Sequence, residues 1–312
     1  MRINLKLTKD KKFFHYHMFA IVIKSYFNDL NRADRLVKSI TEHNRDELPV
    51  YVIVPKEDTT AFRERLGDQN INYLEDDDIL QITMRFSGSK KVELPSVTMQ
   101  QVVKSEFWRL GLAENFLIID SDSYFIKDFA LQDFMFNEHT PYTIMNEGRH
   151  QLDWAARAGN ERFIRDYHEL RQRSLGLFDR KGPHFDFAPT PMICSSKVWR
   201  TMYEKVAAPK GESFYDQIVQ FPCETQWYGE FLLHDQTIPI IPREPLFKVW
   251  GFEEQWKEGM SLGETNDVLA KNYLGVIDQS YWSRSLDAYS KSQKRKIKWK
   301  RRIKRLLKRK YR

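Results

Sequence analysis

The chain has 312 residues, with 50 Lys and Arg against 43 Asp and Glu and a formal charge of +7. Hydrophobic residues make up 41% and aromatics 14%, enough to bury a core, which excludes disorder over most of the length. Two cysteines exclude a disulfide scaffold and a multi-cysteine zinc module and suit a reducing compartment, and no apolar run reaches the ~18 residues of a membrane span.

The N-terminal stretch is charged and then apolar, but His15 and His17 interrupt it and no small-residue cleavage site follows, so it does not read as a signal peptide. FAIVIKSY, Phe19–Tyr26, is a short apolar run with a polar end and predicts a buried strand. Leu30, Ala33, Leu36, Val37 and Ile40 then recur at helical spacing, predicting a helix from Asp29 to His43. PVYVIVP predicts a second buried strand, Thr59–Leu66 a short helix closed by Gly67, and INYLEDDD a third strand running to Asp78. This β-α-β-α-β alternation favours a mostly parallel sheet covered by helices on both faces.

Ser96–Ala113 reads as a helix leading into the strand Phe116–Ile119, which stops at a carboxylate cluster. Beyond it the alternation loosens. PYTIMNEG predicts a strand, Gln151–Leu177 a long charged helix broken near Gly159, and FAPTPMICSS, IPIIPRE and LFKVWGF short strand or loop pieces. No repeat and no Pro/Gly/Ser-rich linker appears. The expected organisation is one domain over residues 1–290, with a nucleotide-type half at about 19–125 and a more irregular half at 126–290, followed by a tail at 291–312.

LIIDSDSYF sets Asp120 and Asp122 just beyond an apolar strand. In open α/β sheets ligands bind outside the carboxyl ends of the strands. Two carboxylates one residue apart at such an end can share a hard divalent cation, Mg²⁺ or Mn²⁺, bridged to substrate phosphates. The cation would act as a Lewis acid on a diphosphate leaving group. The competing reading is a turn that collects aspartates.

These residues carry a resemblance to the bacterial GT-A glycosyltransferases with a DxD motif, of the lipopolysaccharide and capsule type. FAIVIKSYFNDLNRADRLVKSI is similar to the first strand and helix of that fold, and QQVVKSEFWRLGLAENFLIIDSDSYFIKDF to its helix, strand and DxD block. TPMICSSKVWRTMYEKV with CETQWYGEFLL resembles the acceptor half. The resemblance implies a Rossmann-like GT-A domain, a nucleotide-sugar donor (UDP-linked), Mn²⁺ or Mg²⁺, and transfer of one sugar to a glycan or lipid-linked glycan. It makes Asp122 the direct metal ligand and sets Asp120 on the ribose or, through water, on the metal. Lys24, Ser25 and Tyr26 fall in the first donor loop, Asp76–Asp78 could touch base or ribose, and Lys104 could reach a phosphate. Relatives that retain configuration carry a metal-binding histidine near a lysine-bearing loop late in the domain. Here LFKVW has Lys248 and Trp250 without one, and His184 and His234 are the late histidines.

An inverting transfer needs a general base on the acceptor hydroxyl. Glu224, Glu230 and Asp186 are the candidates. Glu224 opens a helix, and Glu230 lies six residues on, at a different helical phase. A first-turn glutamate also serves the helix dipole without any catalytic role. Trp227, Tyr228, Trp250 and Trp256 could stack on sugar faces or fill the core.

Residues 291–312 hold 14 Lys and Arg and no acidic residue, which leaves 36 Lys and Arg against 43 Asp and Glu elsewhere, a net of −7. As a helix, the tail sets Trp299, Ile303, Leu306 and Leu307 on one stripe against a basic face. That pattern fits an amphipathic helix lying on an anionic membrane surface. The acidic body offers no second basic footprint, so no nucleic acid is expected. A cytoplasmic protein, peripheral on the inner face of the cell membrane, follows. The competing functions are a nucleotidyltransferase, for which KSYFNDLNR lacks the expected glycines, and a non-catalytic adaptor on an enzyme-like fold.

Overall fold

The computed structural model describes residues 16–68, 70–86, 94–187, 191–279 and Ser283. The expected basic helix at 291–312 lies outside these residues.

The chain opens with β1 (His17–Lys24), α1 (Leu30–His43), β2 (Val50–Val54), α2 (Thr59–Leu66), β3 (Ile71–Glu75), α3 (Asp76–Met84), α4 (Ser96–Glu106) and β4 (Ala113–Asp120). After these come β5 (Ser123–Phe125), β6 (Thr143–Ile144), α5 (Arg149–Arg157), α6 (Glu161–Leu175), β7 (Met192–Ser195), α7 (Ser196–Met202), α8 (Phe214–Gln220) and α9 (Glu224–Asp235). The chain then forms β8 (Pro242–Arg243), β9 (Phe247–Trp250), α10 (Glu253–Ser261), α11 (Asn266–Leu269) and β10 (Gly275–Asp278).

The central sheet has the order β3-β2-β1-β4-β7. β3, β2, β1 and β4 run parallel and β7 is antiparallel to β4. Every residue of β2 is buried, because helices cover both faces of a parallel sheet and no face alternates to water. Successive side chains still point to opposite faces. Ala20, Val22, Tyr51, Ile53 and Phe116 pack with residues of α3, α4, α7, α8 and α9. Ile21, Ile23, Val52, Leu117 and Ile119 pack with α1, α2 and the second sheet. That second sheet, β5-β10-β9, joins the turn after β4 to the C-terminal half. A short parallel pair, β6-β8, completes the strands. Among the described residues no helix is long and apolar enough to cross a membrane.

Three elements differ from the sequence expectation and a fourth agrees with it. β3 stops at Glu75, and Asp76, Asp77 and Asp78 form the first turn of α3, where negative charge is favoured by the helix dipole. The helix from Ser96 ends at Glu106, and a tight turn over Phe107–Leu110 leads to Gly111 at φ 63°. That left-handed conformation suits glycine and lets β4 begin three residues early. The long charged helix is broken at Gly159, as expected, into α5 and α6. Asn160 caps the second by accepting the Phe163 N–H at 3.1 Å. The strand expected from PYTIMNEG shortens to Thr143–Ile144.

Candidate active site

β1 and β4 are parallel neighbours, with Lys24 opposite Asp120 at their carboxyl ends. Asp122 sits in the turn from β4 to β5, and its carbonyl accepts the Asp278 N–H at 2.9 Å. The end of β10 thereby braces the carboxylate pair. Asp278 itself is held by Arg35 of α1 at 2.9 Å.

Lys104 joins the elements around this strand end. It is 2% exposed on α4, and its Nζ lies 2.6 Å from Asp120 Oδ1 and 3.2 Å from Glu224 Oε1. Burial works against the ammonium, but Asp120 and Glu224 more than offset it and hold its pKa above the ordinary lysine value. Glu224 is 5% exposed at the first position of α9, where the helix dipole also favours its charge.

Lys24 is buried beside this cluster. Its Nζ reaches Asp76 Oδ2 at 3.0 Å and the Ser25 carbonyl at 2.8 Å. Burial lowers the Lys24 pKa and raises that of Asp76, while their mutual attraction opposes both shifts. Asp76 therefore takes the place beside Lys24. Asp78, two residues on, is half-buried, and burial with the neighbouring Glu75 raises its pKa. The Ser25 N–H bonds the Ile53 carbonyl at 3.0 Å. Its hydroxyl oxygen is buried and has no partner among the described residues. Tyr26 is half-buried in the extended residue that precedes the tight turn Phe27–Asp29.

The donor set suits a hard divalent cation. Asp120 and Asp122 are both partly exposed at one strand end, and among the described residues no group of three His, Cys, Asp or Glu gathers into a closed metal site. Mg²⁺-type ions are commonly held by one or two carboxylates and completed by water and substrate phosphates. Asp120 and Asp122 are the residues that would hold such an ion.

The remaining candidates separate. Glu230 is fully buried two turns into α9 and forms a bidentate pair with Arg180, with Nη2 to Oε1 at 2.9 Å. That pairing leaves it no path to a substrate hydroxyl. Asp186 accepts the Tyr167 hydroxyl at 2.6 Å and the Gln226 Nε2 at 3.4 Å, on the wall of a cavity rather than at the DxD. His184 has its pKa pushed down to about 4 by burial and by Arg171 and Arg180, and His234 stacks on Phe178. Trp227 and Tyr228 belong to the core: the Trp227 Nε1–H donates to the Phe221 carbonyl at 2.9 Å, and the Tyr228 oxygen accepts the Ser195 N–H at 2.7 Å. Trp250 faces the cavity. Sequence reasoning missed Arg35, Asp278 and the Lys104–Glu224 contact. Their only signal was residue type, because each pairing joins distant parts of the chain.

The fold and site thus define an α/β protein with a carboxylate–lysine cluster outside the carboxyl ends of parallel strands, where such sheets bind ligands. The chain belongs to the family described as Family of unknown function (DUF6492), which it matches over residues 18–293. No curated protein matches it. Among solved structures it is similar to the apo form of mouse xyloside xylosyltransferase 1, at 6% identity and a TM-score of 0.47, over 85% of this chain and 98% of that one. A likeness at that level assigns neither activity nor substrate.

Proposed function

We propose that the chain is a metal-dependent glycosyltransferase of GT-A type, moving a sugar from a nucleotide-sugar (UDP-linked) to a lipopolysaccharide, O-antigen or capsule precursor. The observation that carries the reading is the buried Lys104, held by Asp120 and Glu224 at the strand end that bears Asp122. A nucleotide diphosphate brings negative charge that needs a cation and fixed positive groups close by. Bound at Asp120 and Asp122, Mn²⁺ or Mg²⁺ would supply Lewis-acid stabilisation of the departing diphosphate. The protein's own residues do the positioning. Lys104 fixes the Asp120 carboxylate, and Lys24 with Asp76 shapes the loop of Ser25 and Tyr26 that receives the nucleotide. In an inverting transfer Glu224 takes the proton from the acceptor hydroxyl. In a retaining transfer it remains a positioning residue. The basic segment 291–312 would hold the enzyme on the anionic inner face of the membrane, where lipid-linked acceptors lie. The test is Mn²⁺-dependent thermal stabilisation of the full chain by UDP-, GDP- and CMP-sugars, with Asp122→Ala as the comparison.

A further inference from the structure

Asp120 and Asp122 are held by different parts of the chain. Lys104 of α4 fixes the Asp120 carboxylate. Asp122 lies in the turn from β4 to β5, and that turn is gripped from α1.

Arg32, Arg35 and Ser39 recur at i, i+3 and i+7 of α1, so all three fall on one face of the helix. Each meets the strands that flank the turn, or the chain that follows them. The Ser39 Oγ accepts the Phe125 N–H of β5 at 3.0 Å. Arg35 reaches both strands: its Nη1 lies 2.9 Å from Asp278 Oδ2 on β10, and its guanidinium stacks over the Tyr124 ring of β5, 4.1 Å from the ring centre. Arg32 is 4% exposed. It donates to the Asp278 carbonyl at 3.1 Å and to Ser283 Oγ at 2.9 Å.

Ser283 closes the arrangement. It is 1% exposed, and its hydroxyl is shared between the carbonyls of Asp278 and Gln279, each at 2.8 Å. Asp278 thus has its N–H on the Asp122 carbonyl, its own carbonyl under Arg32 and Ser283, and its carboxylate on Arg35. Held at three points, it cannot shift without breaking a buried bond, and the Asp122 turn is tied to it.

This order has a chemical use. Mg²⁺ demands near-ideal octahedral geometry at ~2.0–2.1 Å. A ligating carboxylate depends on the groups that orient it, and losing one of them costs about 10–100-fold in metal affinity. Apolar residues would hold α1 to the strands equally well. Arginine adds direction, because its planar fork fixes the angle as well as the distance of what it binds.

We infer that Arg32, Arg35 and Ser283 are positioning residues of the metal site, setting the Asp122 turn through the end of β10. The metal rests on the glycosyltransferase reading, and the grip on the turn does not. Two measurements on the full chain test it. Hydrogen exchange over residues 120–125 reads the turn without metal. Mn²⁺ titration in the presence of UDP, followed by the electron paramagnetic resonance of the free ion, reads the site. Arg35 is 42% exposed, so water reaches the position and Arg35→Gln is the principal variant. Arg63 is the matched control: it is 40% exposed, pairs with Asp68 and stacks over Tyr73 of the edge strand β3. Arg35→Gln and Ser283→Ala each speed exchange at residues 120–125 and weaken Mn²⁺ binding by at least about tenfold. Arg35→Lys, which keeps a cation for Asp278, recovers the affinity to within about threefold of wild type. Arg63→Gln changes neither readout. In the Asp122→Ala background Arg35→Gln has no further effect on Mn²⁺, because it acts through that carboxylate. Unchanged exchange in Arg35→Gln and Ser283→Ala, or equal losses in Arg63→Gln, overturns the proposal. Mn²⁺ binding that needs Asp122 but ignores Arg35 and Ser283 keeps the metal and removes the positioning role alone. A wild type that binds no Mn²⁺ removes both.

Discussion

Replacing Lys104 by Met tests whether the site is held together by one buried cation. The side chain of Lys104 is 3% exposed and that of Glu224 7%, so the variant leaves Glu224 buried without its counter-charge, while Asp120 at 35% is partly relieved by water. Removing one partner of a buried ion pair costs about 3–5 kcal/mol. With about 2–4 °C lost per kcal/mol in a chain of this size, the melting temperature falls by on the order of 6–20 °C. The folded-state pKa of Lys104 is raised. Its contribution is therefore fully present below the unfolded value, about 10.4, and is lost only as pH rises through the higher folded value. The difference between wild type and variant is thus roughly constant between about pH 6 and 9. Melting followed by circular dichroism over that range is the assay. The double variant Lys104→Met/Glu224→Gln, which removes the stranded charge, recovers at least half of the loss. A loss below about 2 °C, or no recovery in the double variant, refutes the reasoning.

Lys24 and Asp76 make the opposite case, because burial disfavours the charge of each. The double variant Lys24→Met/Asp76→Asn is at least as stable as wild type by urea denaturation, while stabilisation by nucleotide-sugars is lost. Lys24 also has a depressed folded pKa, so its penalty is present at neutral pH and disappears as pH rises from that folded value to the unfolded value of about 10.4; the lysine's share of the double variant's stability gain shrinks over that window. Glu230→Gln, which breaks the buried Arg180 pair, lowers stability by about 1–3 kcal/mol yet leaves donor binding per folded molecule unchanged in a titration below the melting range. Deleting residues 291–312 removes 14 positive charges, and the truncated chain dissociates from vesicles containing anionic lipid in a sedimentation assay while still binding donor.

The sheet was readable because parallel strands covered on both faces are written as unbroken apolar runs: VYVIV is β2 to the residue, and FAIVI and FLII are the centres of the longer β1 and β4. The end of β3 was not, because Ile71–Glu75 runs straight into Asp76 without glycine or proline. The mark of α3 is three aspartates ahead of Ile79 and Ile82, an acidic first turn on an apolar face. For the site, the phase of α9 already turns Glu230 away from Glu224. That an arginine fifty residues back would fill the space beside Glu230 depends on how α6 and α9 pack. The same holds for Lys104, whose two carboxylate partners come from β4 and α9. Of the cavity between α5, β9 and α10 the sequence marked only Trp250 and Asp186 as candidates, since the cavity itself exists only when three separated segments face one another.

The central claim is that Asp120 and Asp122 serve a metal and a nucleotide-sugar at the end of β4. Thermal stabilisation of the full chain by a panel of nucleotide-sugars, with and without Mn²⁺, tests it most directly. One donor at about 100 times its dissociation constant adds about 2.7 kcal/mol, a rise of roughly 5–10 °C that requires Mn²⁺ and is absent in Asp122→Ala. No stabilisation by any donor, or the same rise without metal and in Asp122→Ala, contradicts the account.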